Sequence, residues 1–264
     1  MFFTRTEIKY MIGEKTFRRL CEELSPHIFN DKFFFEKIHT IYYDSEHDEV
    51  ICHSLEKPAF KEKLRIRAYE QEGQLFAEAF VELKKKYKGL GSKRRLKISL
   101  QGAQTLLSCK KPADILGDVQ IAKEILFFIK KTSCFPKFYL SSDRYSFRGL
   151  KESDLRITFD TNILYRNARL SFCSDRSDEQ LLAHGNYLME LKSSESLPLW
   201  LTSTLSKYKI YPISFSKYGR AFERHLAQKL NDGINTIAEK CSAENQYLCE
   251  ESSENNFTEE TTYA

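Results

Sequence analysis

Charged and polar side chains recur at every second position within several strand-like segments of this chain. Residues two apart in a β-strand point to the same side, so each such segment would carry one charged and one apolar face. The intervening residues are mostly apolar, which suits that second face to packing. Five segments show the pattern, through Glu7 and Lys9; Arg65 and Arg67; Glu82, Lys84 and Lys86; Arg156, Thr158 and Asp160; and Glu190 and Lys192.

The charged faces have two interpretations. An antiparallel sheet commonly exposes one wet face to solvent, and charged residues there need no ligand. If helices cover the apolar faces from outside, however, the charged faces of all five strands turn towards a common interior. Periodicity alone leaves both interpretations open.

Strand-like and helical patterns follow one another along the chain in the manner of an α+β protein. Helical spacing begins at Glu14 after the first strand, fills the stretches 100–109 and 119–131, and returns at 197–207 and from 215 to 230. Roughly eight strands lie between these stretches. The sequence therefore predicts an α+β fold built round a closed or strongly curved antiparallel sheet.

Composition predicts one folded domain over residues 1–238 and an acidic, disordered tail over residues 239–264. A chain of 264 residues that is 41% hydrophobic can bury a sizeable core. The tail carries no lysine or arginine after residue 243 and is rich in glutamate, serine and threonine. The formal net charge of +4 therefore understates how basic the folded part is, which favours an anionic ligand.

The chain shows no signal for secretion or for a membrane span. It contains no run of eighteen apolar residues, and charges interrupt its N-terminal segment. Its seven cysteines are scattered without metal-ligand spacing. We therefore expect a cytoplasmic protein with reduced cysteines and no membrane segment of its own.

Basic residues on rigid strands suit the recognition of phosphate. Arginine offers a fixed fork of donors and lysine a compact point charge. The interleaved carboxylates Glu7, Glu82, Asp160 and Glu190 offer oxygen ligands for Mg²⁺ or Mn²⁺. Nucleic acid is not expected as a ligand, because the aromatic residues lie in the apolar faces and not between basic residues as stacking platforms.

Eight segments carry a resemblance to a known family. In chain order they are RTEIKYMI (5–12), IYYDS (41–45), LRIRAY (64–69), FVELKKKY (80–87), DRYSF (143–147), LRITFDTNI (155–163), LMELK (188–192) and FSKYGRA (215–221). The sequence resembles the catalytic domain of the vacuolar transporter chaperone, in its bacterial stand-alone form, within the triphosphate tunnel metalloenzyme superfamily. The resemblance covers residues 4–222 and implies an α+β fold with a closed eight-stranded antiparallel β-tunnel and helices packed outside.

The resemblance also implies an activity and a set of site residues. Family members of the yeast type bind ATP and a growing polyphosphate chain and transfer the terminal phosphate with a divalent metal, commonly manganese. By this resemblance Arg65, Arg67, Lys84, Arg156 and Glu190 would carry the transfer, and Glu190, Glu7 and Glu82 would hold Mn²⁺ or Mg²⁺. Phosphate contacts are expected from Lys9, Arg65, Arg67, Lys84, Lys86, Arg144, Arg156, Lys192 and Lys217.

One departure from the family pattern keeps the activity open. Ser214 stands where the family often has a lysine, ahead of Phe215, Ser216 and Lys217. Polyphosphate synthesis from ATP is the first hypothesis. The alternatives are an inorganic tripolyphosphatase or nucleoside triphosphatase of the same fold, and a polyphosphate-binding module without turnover. Whether a membrane partner receives a polymer is likewise open.

Overall fold

The computed structural model describes residues 6–232, apart from 89, 110–114, 117, 174 and 176, together with residue 234. The chain divides into two compact units, Met1–Ala221 and Phe222–Ala264. In the second unit residues 222–232 are helical. The acidic tail predicted over 239–264 lies outside the described residues. None of the helices within the described ranges has the length and apolar character needed to cross a bilayer.

The first unit is built mainly from strands. Its strands are β1 (Thr6–Gly13), β2 (Ile28–Asp44), β3 (Phe60–Gln71), β4 (Gln74–Tyr87), β5 (Leu90–Ser99), β6 (Ile115–Leu116), β7 (Phe135–Gly149), β8 (Arg156–Arg166), β9 (Glu179–Gln180), β10 (Asn186–Ser193) and β11 (Pro212–Ile213). Its helices are α1 (Glu14–Leu24), α2 (Glu49–Leu55), α3 (Leu100–Cys109), α4 (Val119–Thr132) and α5 (Leu199–Lys207). Residues 217–221 are also helical.

All of these strands pair in one antiparallel sheet, which confirms the fold class but not the closure. The order is β11-β1-β10-β8-β7-β2-β3-β4-β5-β6, with β9 beside β8, so eleven described strands form an open sheet. The expectation of a closed eight-stranded barrel was therefore wrong. The two ends, β11 and β6, are two-residue strands, and within the described residues each pairs on one side only, so no ladder of hydrogen bonds is seen between them.

The open sheet is nevertheless strongly curled. Six strand spacings separate β1 from β4 in the sheet order, and a flat sheet would hold them about 29 Å apart. The Glu7 carboxylate on β1 lies only 3.7 Å from the Lys84 ammonium on β4. Two side chains cannot span the flat distance, so the sheet must bend until these faces meet.

Apolar residues on the convex side of the sheet form the core. In one cluster α3 and α4 cover β3, β4 and β5, with Ile125 and Phe128 of α4 among the buried residues. In the other, α1 and α5 cover β1, β8 and β10, with Leu20 and Leu201 buried. These four helices therefore lie outside, as predicted, and leave the alternate side chains to face the concave side.

Candidate functional site

Strand register assigns the charged side chains to one side of the sheet, which we call the inner face. Residues directly opposite each other in neighbouring antiparallel strands point to the same side. The chains of opposed partners on this face are Glu7, Lys192, Arg156 and Arg148; Lys9, Glu190, Thr158 and Ser146; Asp160, Arg144 and Glu36; Tyr42, Arg65, Glu82 and Arg95; and Lys63, Lys84 and Lys93. All five alternating segments found in the sequence contribute to it.

One cluster on the inner face surrounds Glu82 on β4. The Glu82 carboxylate is fully buried and accepts from Arg65 Nε at 2.8 Å and Lys93 Nζ at 3.3 Å, with Arg95 Nε at 2.9 Å. Burial by itself would raise the pKa of Glu82, but Arg65 and Arg67 hold it well below its usual range. Glu82 was expected as a metal ligand, yet its oxygens are already taken by cations.

A second cluster surrounds Asp160 on β8. Arg144 donates to both Asp160 oxygens, at 2.5 and 2.7 Å, and Lys217 donates to Oδ2 at 2.6 Å. Burial opposes ionisation of Asp160, but Arg144 and Lys217 lower its pKa strongly. Lys217 also donates to Ser142 Oγ at 3.1 Å. This carboxylate therefore anchors two of the predicted phosphate contacts.

A third cluster joins β1 to β10. Lys9 Nζ lies 3.3 Å from Glu190 and 3.6 Å from Glu7, while Lys192 donates to Glu190 Oε2 at 2.9 Å. Burial opposes ionisation of both carboxyls, but the lysines lower the pKa of Glu190 and of Glu7, with Lys84 acting most strongly on Glu7. Glu7 and Glu190 thus converge on one cation.

Metal binding was expected from three carboxylates, and the structure brings only two of them together. Within the described ranges no group of three histidine, cysteine, aspartate or glutamate side chains is arranged to hold a metal ion. Glu7 and Glu190 fit a different arrangement, because Mg²⁺ is commonly held by one or two carboxylates together with substrate phosphates. The Lys9 ammonium lies where a single cation is close to both the Glu7 and the Glu190 carboxylates.

Several donors on the inner face have no hydrogen-bond partner or only a single ion pair. Arg67 Nε and Thr158 Oγ1 are buried and have no hydrogen-bond partner among the described residues. Lys84 is half exposed, and Lys86 lies at the exposed end of β4 opposite Lys61. Arg156 lies 3.2 Å from Asp31, through Nε. Unpaired buried donors cost free energy, so they indicate a place where a ligand supplies the acceptors.

The sequence argument missed several residues of this face. Lys63 lies two residues before Arg65, so the same alternation could have identified it. Its pKa is lowered to about 8, first by burial and then by Lys61 and Lys84. Tyr42 and Glu36 on β2 gave no such signal, because their neighbours on this side of the strand, Ile38 and Thr40, are uncharged.

Tyr42 is bonded directly to one of the arginines of this face. Its hydroxyl accepts from Arg65 at 3.1 Å. Burial would raise the pKa of Tyr42, but Arg65 and Arg67 lower it to about 8. A lowered pKa in a buried tyrosine indicates that positive charge is concentrated around it on the inner face.

Comparisons with known proteins place these observations in context. A family model described as the VTC domain matches residues 4–225. No protein with a curated description matches the chain.

Among solved structures, a Bacillus halodurans protein described as an adenylate cyclase candidate is 18% identical, with a TM-score of 0.49 over 81% of this chain and 95% of its own. A Hippeastrum protein whose description reports a dominant triphosphatase activity is 18% identical, with a TM-score of 0.48 over 80% and 92%. A Pyrococcus horikoshii protein is 14% identical, with a TM-score of 0.41 over 83% and 99%.

Proposed function

We propose that this chain, which belongs to the VTC domain family, transfers the terminal phosphate of ATP to a growing polyphosphate chain held on its inner face. One observation carries the proposal. Cations from seven strands and from residue 217 converge on a single curled surface, where they outnumber the carboxylates. These cations are Lys9, Lys63, Arg65, Arg67, Lys84, Arg95, Arg144, Arg156, Lys192 and Lys217.

The cations that are not bound to the buried carboxylates Glu82, Asp160 and Glu190 are the ones suited to bind phosphate. Arg67 and Arg156 can each present a planar fork to two phosphate oxygens, and Lys63 and Lys84 can neutralise further oxygens as point charges. Arg65 and Arg144 are locked to buried carboxylates, so they supply fixed positive potential and can still donate from their remaining N–H groups. A linear polyanion satisfies such an extended set better than a single phosphate.

A divalent cation, Mn²⁺ or Mg²⁺, would be held by Glu190 and Glu7. When bound, it would neutralise charge on the phosphate oxygens and polarise the phosphoryl group that moves. Both carboxylates stay ionised despite burial, because Lys192 and Lys9 lower the pKa of Glu190 and because Lys84, followed by Lys192, lowers the pKa of Glu7. Glu82, although expected in this role, would instead hold Arg65, Lys93 and Arg95 in place.

The chain's own residues then act by positioning and by neutralising charge. An oxygen of the terminal phosphate of the polyphosphate attacks the γ-phosphorus of ATP, and the bond from that phosphorus to the bridging oxygen of ADP breaks. The leaving oxygen keeps the electron pair, and nearby cations stabilise it. No nucleophilic side chain is needed, since in-line placement and electrostatic stabilisation supply most of the rate in phosphoryl transfer.

Incubation of the protein with ATP and Mn²⁺, followed by sizing of the products, tests the proposal. Polyphosphate chains are expected, whereas orthophosphate alone would make the protein a hydrolase, and binding without turnover would make it a binding module. The Glu190→Gln variant should lose metal-dependent turnover while it keeps much of its ATP affinity.

Glu62→Gln is the matched control for that variant. Glu62 also pairs with a lysine, Lys85, but on the outer side of β3. It should behave as wild type. Normal turnover in Glu190→Gln would remove this residue from the mechanism.

A further inference from the structure

Glu36 on β2 is a buried carboxyl that none of the three clusters uses. It is 7% exposed, and its register partner Arg144 places it on the inner face. Glu7, Glu82, Asp160 and Glu190 each lie within ion-pair distance of at least one cation. The Glu36 carboxyl has no hydrogen bond and no ion pair with any residue in the part of the chain that the structure describes.

Its surroundings are strongly positive even so. The charged groups that act on Glu36 are Arg144 from β7, Arg156 from β8, Arg67 from β3, and Asp31 from its own strand. Arg144 is occupied by Asp160 and Arg156 lies beside Asp31, while Arg67 Nε has no partner. An uncommitted carboxyl and an uncommitted guanidinium nitrogen therefore share one region of the inner face without bonding to each other.

This arrangement suits a ligand that interposes between the two groups. Phosphate oxygens can accept from Arg67 but repel a carboxylate. Water bound at the end of a phosphate chain can donate to a carboxylate and accept from a guanidinium. Burial raises the pKa of Glu36 despite the three arginines, so it is a stronger base than the lysine-paired carboxyls of the same face.

We propose that Glu36 is a catalytic residue that accepts a proton from a water molecule attacking the terminal phosphate of a bound triphosphate or polyphosphate. This rests on the proposed phosphate-binding function and adds hydrolysis as a second activity of the same site. The water oxygen bonds to the terminal phosphorus, and one water proton passes to the Glu36 carboxylate. The bond from phosphorus to the bridging oxygen breaks, that oxygen keeps the electron pair, and orthophosphate leaves.

The same geometry separates hydrolysis from chain extension. A terminal phosphate that acts as acceptor is already an anion and needs no base, whereas water needs one at neutral pH. Loss of Glu36 should therefore suppress hydrolysis and spare transfer. No other unpaired carboxylate on the described inner face could replace it.

The test compares wild type with Glu36→Gln, which keeps the shape of the side chain. With tripolyphosphate and Mn²⁺, orthophosphate release should fall about 100-fold or more, the usual contribution of a general base. Tripolyphosphate affinity should stay within a few-fold of wild type or increase, since a negative charge is removed. With ATP, the ratio of polyphosphate to orthophosphate among the products should rise.

The pH profile provides a readout that a structural role would not give. Wild-type hydrolysis should fall as the pH drops through the pKa of Glu36, because the protonated carboxyl cannot accept a proton. Residual hydrolysis in Glu36→Gln should lack this acidic limb. The matched control is Glu70→Gln, since Glu70 accepts a hydrogen bond from His39 on the outer side of the sheet and should leave rates and profile unchanged.

Each outcome decides the question. Orthophosphate release at the wild-type rate in Glu36→Gln, or no hydrolysis at all by a wild-type protein that makes polyphosphate, overturns the role of Glu36. A wild-type protein that does not bind tripolyphosphate overturns the proposed function instead. If Glu36→Gln does not fold, Glu36→Asp decides: it keeps a retracted carboxylate, and wild-type hydrolysis in a folded Glu36→Asp would equally contradict the proposal.

Discussion

At the scale of single residues, Arg65 and Arg67 show that two neighbouring side chains on the inner face can have different roles. They lie two apart on β3. Arg65 is bound to the fully buried Glu82 and to Tyr42, whereas the buried Nε of Arg67 has no hydrogen-bond partner among the described residues. Arg65 therefore serves both the fold and the site, and Arg67 mainly the site.

We expect Arg67→Ala to weaken tripolyphosphate binding by about 1–3 kcal/mol, the scale of charge-assisted hydrogen bonds, with little change in stability. Arg65→Ala should weaken binding and also destabilise the protein. The loss in the free energy of unfolding should lie near the lower end of the roughly 3–5 kcal/mol typical of a broken buried ion pair, because Lys93 and Arg95 remain beside Glu82. Titration calorimetry measures the loss of binding and urea unfolding measures the loss of stability. Equal stabilities for both variants would contradict the claim that Arg65, and not Arg67, also stabilises the fold.

Lys63 gives a prediction with a defined pH dependence. Its folded pKa, about 8, lies below its ordinary value of 10.5, so the charged form opposes folding. The penalty is fully present below pH 8 and is relieved as the pH rises towards 10.5. Lys63→Met should therefore stabilise the ligand-free protein at pH 7 by roughly 1 kcal/mol, or about 2–4 °C in Tm, and the gain should shrink at pH 9.5.

The control for Lys63→Met is Lys85→Met. Lys85 lies on the opposite side of the sheet, within 3.6 Å of Glu62 and 3.5 Å of Glu124. Its replacement should bring no gain at either pH. Thermal scans at both pH values check the pair, and a Lys63→Met protein less stable than wild type at pH 7 would mean that Lys63 is not strained by its neighbours.

At the scale of elements, α4 shows how the concave side is kept available for charge. Asp118 caps the helix by accepting from the backbone N–H groups of Gln120 and Ile121. Ala122, Ile125 and Phe128 recur on one face of α4 and are buried against β4 and β5. The apolar side of these strands is thus covered from outside, and the charged side is left for the interior.

Two adjacent phenylalanines test this packing. Phe128 is 3% exposed and Phe127 is 69% exposed. Phe128→Ala should reduce the free energy of unfolding by about 3–5 kcal/mol, whereas Phe127→Ala should change it by less than about 0.5 kcal/mol. Chemical denaturation measures both. Similar losses in the two variants would indicate that α4 does not cover the sheet as described.

At the scale of the whole molecule, the curl of the sheet turns separate strands into one site. The Glu7–Lys84 contact joins strands that a flat sheet would hold far apart, and the remaining cations crowd the same surface. Crowded like charges repel one another until an anion enters. Ligand affinity and the electrostatic cost of the empty site therefore have the same origin.

Tripolyphosphate at 100 times its Kd should stabilise the protein by about 2.7 kcal/mol, which corresponds to roughly 5–10 °C in Tm. Added NaCl should have opposite effects on the Tm of the ligand-free protein and on the rise in Tm that tripolyphosphate causes. It should raise the Tm of the ligand-free protein by screening repulsion, and it should reduce the increment due to a fixed concentration of tripolyphosphate. Thermal scans in a salt series measure both slopes, and a salt-independent increment would argue against a polycationic site.

The amino-acid sequence by itself determined which residues share a side of each strand, because alternation is a local property of an extended backbone. It therefore grouped Glu7 with Lys9, Arg65 with Arg67, and Glu190 with Lys192 on one side of each strand, but it left open whether those sides face a common interior. Lys63 was within reach of the same argument.

The tertiary structure alone decided what each of these charges touches. Asp160 meets Lys217, 57 residues further along the chain, and Lys9 donates to the carbonyl of Phe215, 206 residues away. Such pairings depend on register and on how far the sheet bends, which no local pattern encodes. For the same reason the sequence could not show that the sheet is open, that cations already occupy Glu82, or that Glu36 is left without a partner among the described residues.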